Sequence, residues 1–86
     1  MMAITSLEDV KRYLIIYCSM EHDMDVAEHP LHKAAYREVY KVINTFLKAD
    51  MELRFLKKHL SYHRGITDNK YCKEELRKIS ESIKGV

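Results

Sequence analysis

Tryptophan is absent, glycine occurs twice and proline once in 86 residues. So little glycine and proline excludes a collagen-like repeat, a Gly/Ser linker and a low-complexity disordered chain. Cysteine is scarce too: Cys18 and Cys72 stand far apart, with no Cys-x-x-Cys spacing for a metal or redox centre. The N-terminus lacks the basic, apolar and small-residue order of a secretory leader. Both thiols are therefore expected to be free, reduced and on the core faces of their helices. There is no long apolar run either. The longest stretch without charge or histidine, Tyr13 to Met20, is eight residues, far short of the roughly 18 needed to cross a bilayer. A cytoplasmic protein without a membrane partner is expected.

What is present is 47% hydrophobic and 33% charged residues, enough for one modest core in a single helical domain spanning 1–86. The formal charge of +2 conceals a polarity. Residues 1–30 carry two basic side chains against six acidic ones, and residues 31–86 thirteen against seven. A strong nucleic-acid binder is usually basic throughout; a polarised chain suits self-association by complementary charge at least as well.

The fold class read from periodicity is all-α. Thr5-Ser6-Leu7-Glu8 offers cap hydroxyls and early acids that open a first helix. Leu7, Val10, Leu14, Tyr17 and Cys18 follow helical spacing as its core face, and the pattern fades near Glu21. A loop to His29 precedes Pro30, which fits a first helical position. From Leu31 to Arg64 no glycine or proline intervenes, and Leu31, Ala35, Val39, Val42, Phe46, Ala49, Leu53, Leu56 and Leu60 step by threes and fours. This predicts one long central helix, stopped by Gly65 as a left-handed cap. The expected architecture is thus a hairpin or bundle of three helices. The alternative is a four-helix bundle, if Asp50-Met51-Glu52 caps a separate helix. Ile66 and Thr67-Asp68-Asn69 read as a staple and N-cap cluster for a last helix that buries Cys72, Leu76, Ile79 and Ile83 and ends at Gly85.

Two rows of apolar residues exceed what a three-helix hairpin covers. Tyr13, Ile16 and Met20 form a second stripe on the first helix, and Tyr36, Tyr40, Ile43 and Leu47 a second row on the long one. These seven residues are the expected protein contact, in a homo-oligomer with a dimer favoured. If two long helices paired antiparallel, the acidic end near Pro30 of one would meet the basic end near Arg64 of the other.

The chemistry-bearing patterns are sparse. His59 and His63 are four apart on one helical face, a spacing that holds a metal only with further ligands. The donors Glu21, His22, Asp23, Asp25, Glu28, His29 and His32 lie at the other end of the long helix. No phosphate loop, nucleophile elbow or zinc-protease motif occurs, and no cofactor is implied. Arg54, Lys57, Lys58 and Arg64, interleaved with Phe55 and Tyr62, are the best case for nucleic acid. The reading reached is a small non-enzymatic helical module that self-assembles and binds or inhibits a protein partner, as a regulator or inhibitor would. A nucleic-acid binder using the Arg54–Arg64 segment is the alternative, and a His-dependent metal binder the third.

Overall fold

Thr5 and Ser6 set the start of the first helix by exchanging hydrogen bonds with Asp9. Ser6 Oγ accepts from the Asp9 N–H at 3.4 Å, while Asp9 Oδ2 accepts from the Thr5 N–H at 2.9 Å and from its hydroxyl at 3.1 Å. The Thr5 backbone N–H, with help from the Thr5 hydroxyl and Arg12, holds the Asp9 carboxyl below its ordinary pKa. Helix α1 then runs Leu7–Asp23. The computed structural model describes residues 3–23 and 30–84, with side chains throughout except at 20–23. The helix runs two residues past its expected end near Glu21, and the rest of the expected loop, 24–29, and the Gly85 stop lie outside those residues.

Helix α2 spans Pro30–Lys48, with Pro30 in the first position as its missing N–H allows. The chain does not continue as one helix to Arg64. Asp50 adopts φ 54, the left-handed region that Asp tolerates better than most side chains. Its N–H bonds the Leu47 carbonyl at 3.2 Å, and the Ala49 N–H bonds Thr45 at 3.0 Å, satisfying carbonyls the helix end leaves over. A single 3-10 turn, Leu53–Phe55, leads into α3, Leu56–Ile66. The longest dimension of the molecule is 39 Å. A straight helix of 34 residues needs about 50 Å at 1.5 Å per residue.

Gly65 is not a left-handed stop. Helix α3 passes through it and ends one residue on, where extended Thr67 still donates its N–H to His63 O at 3.0 Å. Asn69 is the N-cap of α4, Lys70–Ser82, its side-chain oxygen accepting from the N–H groups of Tyr71 at 2.9 Å and Cys72 at 3.2 Å. Ile66, expected as a staple, is exposed.

Four helices pack together, α1 on α2, and α4 on both α2 and α3. Helix α3 folds back antiparallel along α2. His59 reaches the Val42 carbonyl, Thr67 reaches Glu38, and Asn69 Nδ2 donates to Leu31 O at 3.0 Å. The meeting of the Pro30 end with the Arg64 end, expected between two chains, is thus made within one. The core joins Val10, Tyr13 and Tyr17 with Ala35, Val39, Val42, Ile43 and Phe46, Leu56 and Leu60, and Cys72, Leu76 and Ile79. Helix α4 buries the face its spacing predicts. Helix α1 is turned slightly from expectation: Val10 and Tyr17 take the core as expected, but Tyr13 joins them while Leu7 and Cys18 face solvent. A tyrosine ring covers more apolar area than a cysteine, and the Tyr17 hydroxyl finds Glu75 at the edge of the core.

One further segment closes the molecule. The Ile4 N–H donates to Ser82 O at 2.7 Å and the Lys84 N–H to Ile4 O at 2.8 Å. This isolated parallel bridge buries Ile4 and Ile83 side by side and ties the residues before α1 to those after α4.

Candidate functional site

Three surfaces of the folded chain carry enough chemistry to be sites. The first is the outer side of α1. Leu7, Lys11, Ile15 and Cys18 recur at spacings of three and four, so they share one stripe. Ile15 is 66% exposed and Ile16, on the adjoining flank, 45%. The inner side of the same helix already buries Val10, Tyr13 and Tyr17. A helix apolar on both sides needs a second covering surface or leaves a hydrophobic patch in water.

The second is an open groove of about 510 Å³ where α2, α3 and the start of α4 meet, with Val42, Cys72 and Leu76 below and exposed Leu31 and Ile66 at its rims. Its polar side holds Glu38, which accepts from the Thr67 hydroxyl at 2.5 Å. The Cys72 thiol beside them is pushed up to about 12, first by burial and then by the Glu38 carboxylate. A thiol so raised stays protonated at neutral pH and is a poor nucleophile. His63 lines the groove as well, its pKa lowered by burial and by neighbouring His59.

The third is a groove of about 470 Å³ between α3 and α4, lined by Ser61, Arg64 and Gly65 on one side and Lys70, Lys73, Glu74 and Arg77 on the other. Four cations face one carboxylate there, and that carboxylate is engaged. Arg77 Nε donates to Glu74 Oε2 at 3.1 Å, a second guanidinium nitrogen bonds Glu74 Oε1, and a third reaches Glu81 at 2.7 Å. These bonds raise the Arg77 pKa and lower that of Glu74. Arg64, Lys70 and Lys73 have no carboxylate within salt-bridge distance among the described residues.

The residues singled out from the sequence are distributed unevenly over these surfaces. Of the seven expected at a protein contact, Tyr13 and Ile43 are in the core, and Tyr36, Tyr40 and Leu47 are half-buried. The row on α2 is covered within the chain, Tyr36 lying against Tyr17 of α1 at 5.8 Å, so it no longer asks for a second copy. Ile16 is at the surface, and the Met20 side chain lies outside the described residues. His59 and His63 do meet, edge-on with ring centroids 4.7 Å apart, but His59 Nε2 is turned to the Val42 carbonyl at 3.0 Å and its ring is tilted against Phe46. Among the described residues no three His, Cys, Asp or Glu side chains are placed to share a metal ion. His32 instead meets Tyr71 edge-on at 3.9 Å. Arg54, Lys57, Lys58 and Arg64 are all exposed on α3 and the turn before it.

Lys70, Lys73, Arg77 and Ile15 are not among the residues singled out from the sequence. Both signals were present in the sequence: three cations at helical spacing, and two adjacent isoleucines of which a single helix face can hold only one. Comparison of the chain with known protein families, with curated proteins and with solved structures finds no match.

Proposed function

We propose that the chain is a self-associating helical module without catalytic activity, and that the outer stripe of α1 is where a second copy docks. The observation that carries this reading is the exposure of Ile15 and Ile16 on a helix whose other side is committed to the core. Charge favours a like partner in antiparallel order. Lys11 and Arg12 stand in the first half of α1, and Glu21 and Asp23 occupy its last turn by position. Two such helices crossing near Ile15 place the basic stretch of each beside the acidic end of the other, whereas a parallel pair sets like beside like. Each solvated charge pair contributes no more than about 1 kcal/mol, so charge sets orientation while Leu7, Ile15 and Ile16 supply the apolar area. Capture of another protein, as a regulator or inhibitor would do, uses the same stripe in this reading.

Light scattering at micromolar concentration tests it. The wild-type chain is expected above its 10.2 kDa monomer mass, and Ile15→Glu with Ile16→Glu is expected to return it to monomer with helicity unchanged. A monomeric wild type refutes self-association. A dimer that persists in the double variant moves the contact away from α1.

A further inference from the structure

We propose that the α3–α4 face binds single-stranded nucleic acid, with backbone phosphates in the cationic groove and unpaired bases stacked on Tyr62 and Phe55. This face is separate from the outer stripe of α1, and the inference stands or falls independently of self-association.

The charge comes first. From residue 53 to 84 the chain holds nine basic and four acidic side chains, against six basic and nine acidic in residues 1–52. The excess positive charge is therefore concentrated on the hairpin of α3 and α4. Within it, Arg64, Lys70 and Lys73 converge on one groove, and among the described residues none of the three has a carboxylate at salt-bridge distance. Arg64, Lys70 and Lys73 repel one another across the cleft, whose one carboxylate, Glu74, is bonded to Arg77 and acts on Arg64 only at a distance, and an entering anion relieves that repulsion. Lys57 lies on the same stripe of α3 as Ser61 and Arg64, at spacings of four and three, and extends the cationic wall by almost two turns.

The aromatics decide between kinds of anion. Tyr62 on a flank of α3 is 66% exposed, and Phe55, which closes the 3-10 turn at the start of that helix, is 43% exposed. The Arg54 guanidinium lies over Phe55 at 4.8 Å, and His63 meets Tyr62 edge-on at 5.4 Å, so both rings are braced while much of their surface stays open. Between this flank and the groove runs a ridge of Ser61, Lys58 and Gly65. At Gly65 nothing lies within 4 Å of where a side chain would begin, so the ridge is low next to Tyr62 and Arg64. A strand lying in the groove has there a path by which its bases reach Tyr62. Cations that track a backbone beside exposed rings that take bases are the recurring arrangement for single strands. An acidic peptide uses the cations and leaves the rings idle, and a duplex keeps its bases from stacking on them.

Fluorescence anisotropy with the full chain and a fluorescein-labelled oligothymidine of about 20 nucleotides, at about 50 mM salt, tests the proposal. Saturable binding is expected, with log K falling against log salt at a slope of roughly −2 to −3, as three or four neutralised phosphates give for a single strand. Arg64→Glu with Lys73→Glu is expected to weaken binding tenfold or more. Tyr62→Ala is expected to weaken it about fivefold without changing the slope. All these side chains are exposed, and unchanged circular dichroism melts show that the fold is retained. Absence of saturable binding at low salt overturns the proposal. So does competition by polyglutamate equal to that of unlabelled oligothymidine, or equal binding of a matched duplex with Tyr62→Ala silent.

Discussion

The Tyr17 hydroxyl on α1 donates to Glu75 Oε2 on α4 at 2.5 Å, joining residues 58 positions apart. Tyr17 is in the core with Tyr13 stacked beside it at 6.4 Å and Tyr36 tilted against it at 5.8 Å. Its ring packs as a hydrophobe and its hydroxyl stitches the two outer helices across α2. Lys78 stands 3.6 Å from the other Glu75 oxygen, whose side chain is only 17% exposed.

Removing that hydroxyl leaves a half-buried carboxylate with only the Lys78 ammonium, 3.6 Å from its other oxygen. Tyr17→Phe is expected to lower unfolding free energy by about 1–2 kcal/mol, within the range for hydrogen bonds to charged groups. Glu75→Gln keeps an acceptor and is expected to cost less. Urea titrations followed by circular dichroism read both. A loss for Tyr17→Phe within error of zero would mean the bond is no better than the water it displaces.

The two thiols are expected to differ sharply. Cys18 is exposed and Cys72 fully buried, so a thiol reagent at neutral pH should label one equivalent quickly and the second only as the chain unfolds. The folded pKa of Cys72, about 12, lies above its ordinary 9.0. The fold therefore favours the protonated thiol; that stabilisation is complete below pH 9 and lost as pH rises toward 12. Burial, with the Glu75 bond, raises Tyr17 in the same direction from 10.0. Unfolding free energy is expected to fall above about pH 9, and Cys72→Val to flatten the first part of that decline. An unchanged profile in Cys72→Val would assign the alkaline loss to tyrosine alone.

How far the fold could be read from the sequence depended on whether a residue's role was local. The Asn69 cap, the Pro30 start and the buried face of α4 are set within four residues of themselves, and they stand as expected. Helix α1 has apolar residues nearly all round, so periodicity placed Val10 and Tyr17 inward but could not choose Tyr13 over Leu7 and Cys18; that choice is made by packing against α2, which is distant in sequence. Ile4 is a lone apolar residue ahead of a cap, and nothing nearby announces that it pairs with Ile83. The basic groove shows the same limit. Arg64 and Lys73 become one site only because the turn at 67–69 lays α4 against α3.

Asp50 is the position where local and distant preferences compete most openly. The apolar series runs in register through Ala49 and Leu53, so nothing in the flanking pattern forbids a continuous helix. Against it stand the left-handed conformation of Asp50 and the antiparallel packing of α3 on α2 that this turn permits. Replacing Asp50 by Ala raises the cost of the left-handed state by about 1 kcal/mol and favours the straight helix. Asp50→Gly removes the side-chain penalty and leaves the turn intact. A chain opened at residue 50 would expose Val42, Ile43 and Leu60, which a second opened chain covers by exchanging its α3 and α4. Asp50→Ala is therefore expected to populate a swapped dimer at high concentration, and Asp50→Gly not to. Spin labels at positions 41 and 58, both exposed, distinguish the states within one labelled chain diluted into unlabelled protein. They are close when α3 folds back and about 25 Å apart along a continuous helix at 1.5 Å per residue. A single short distance in Asp50→Ala at every concentration would show that packing of α3 against α2, and not the conformation of residue 50, holds the turn.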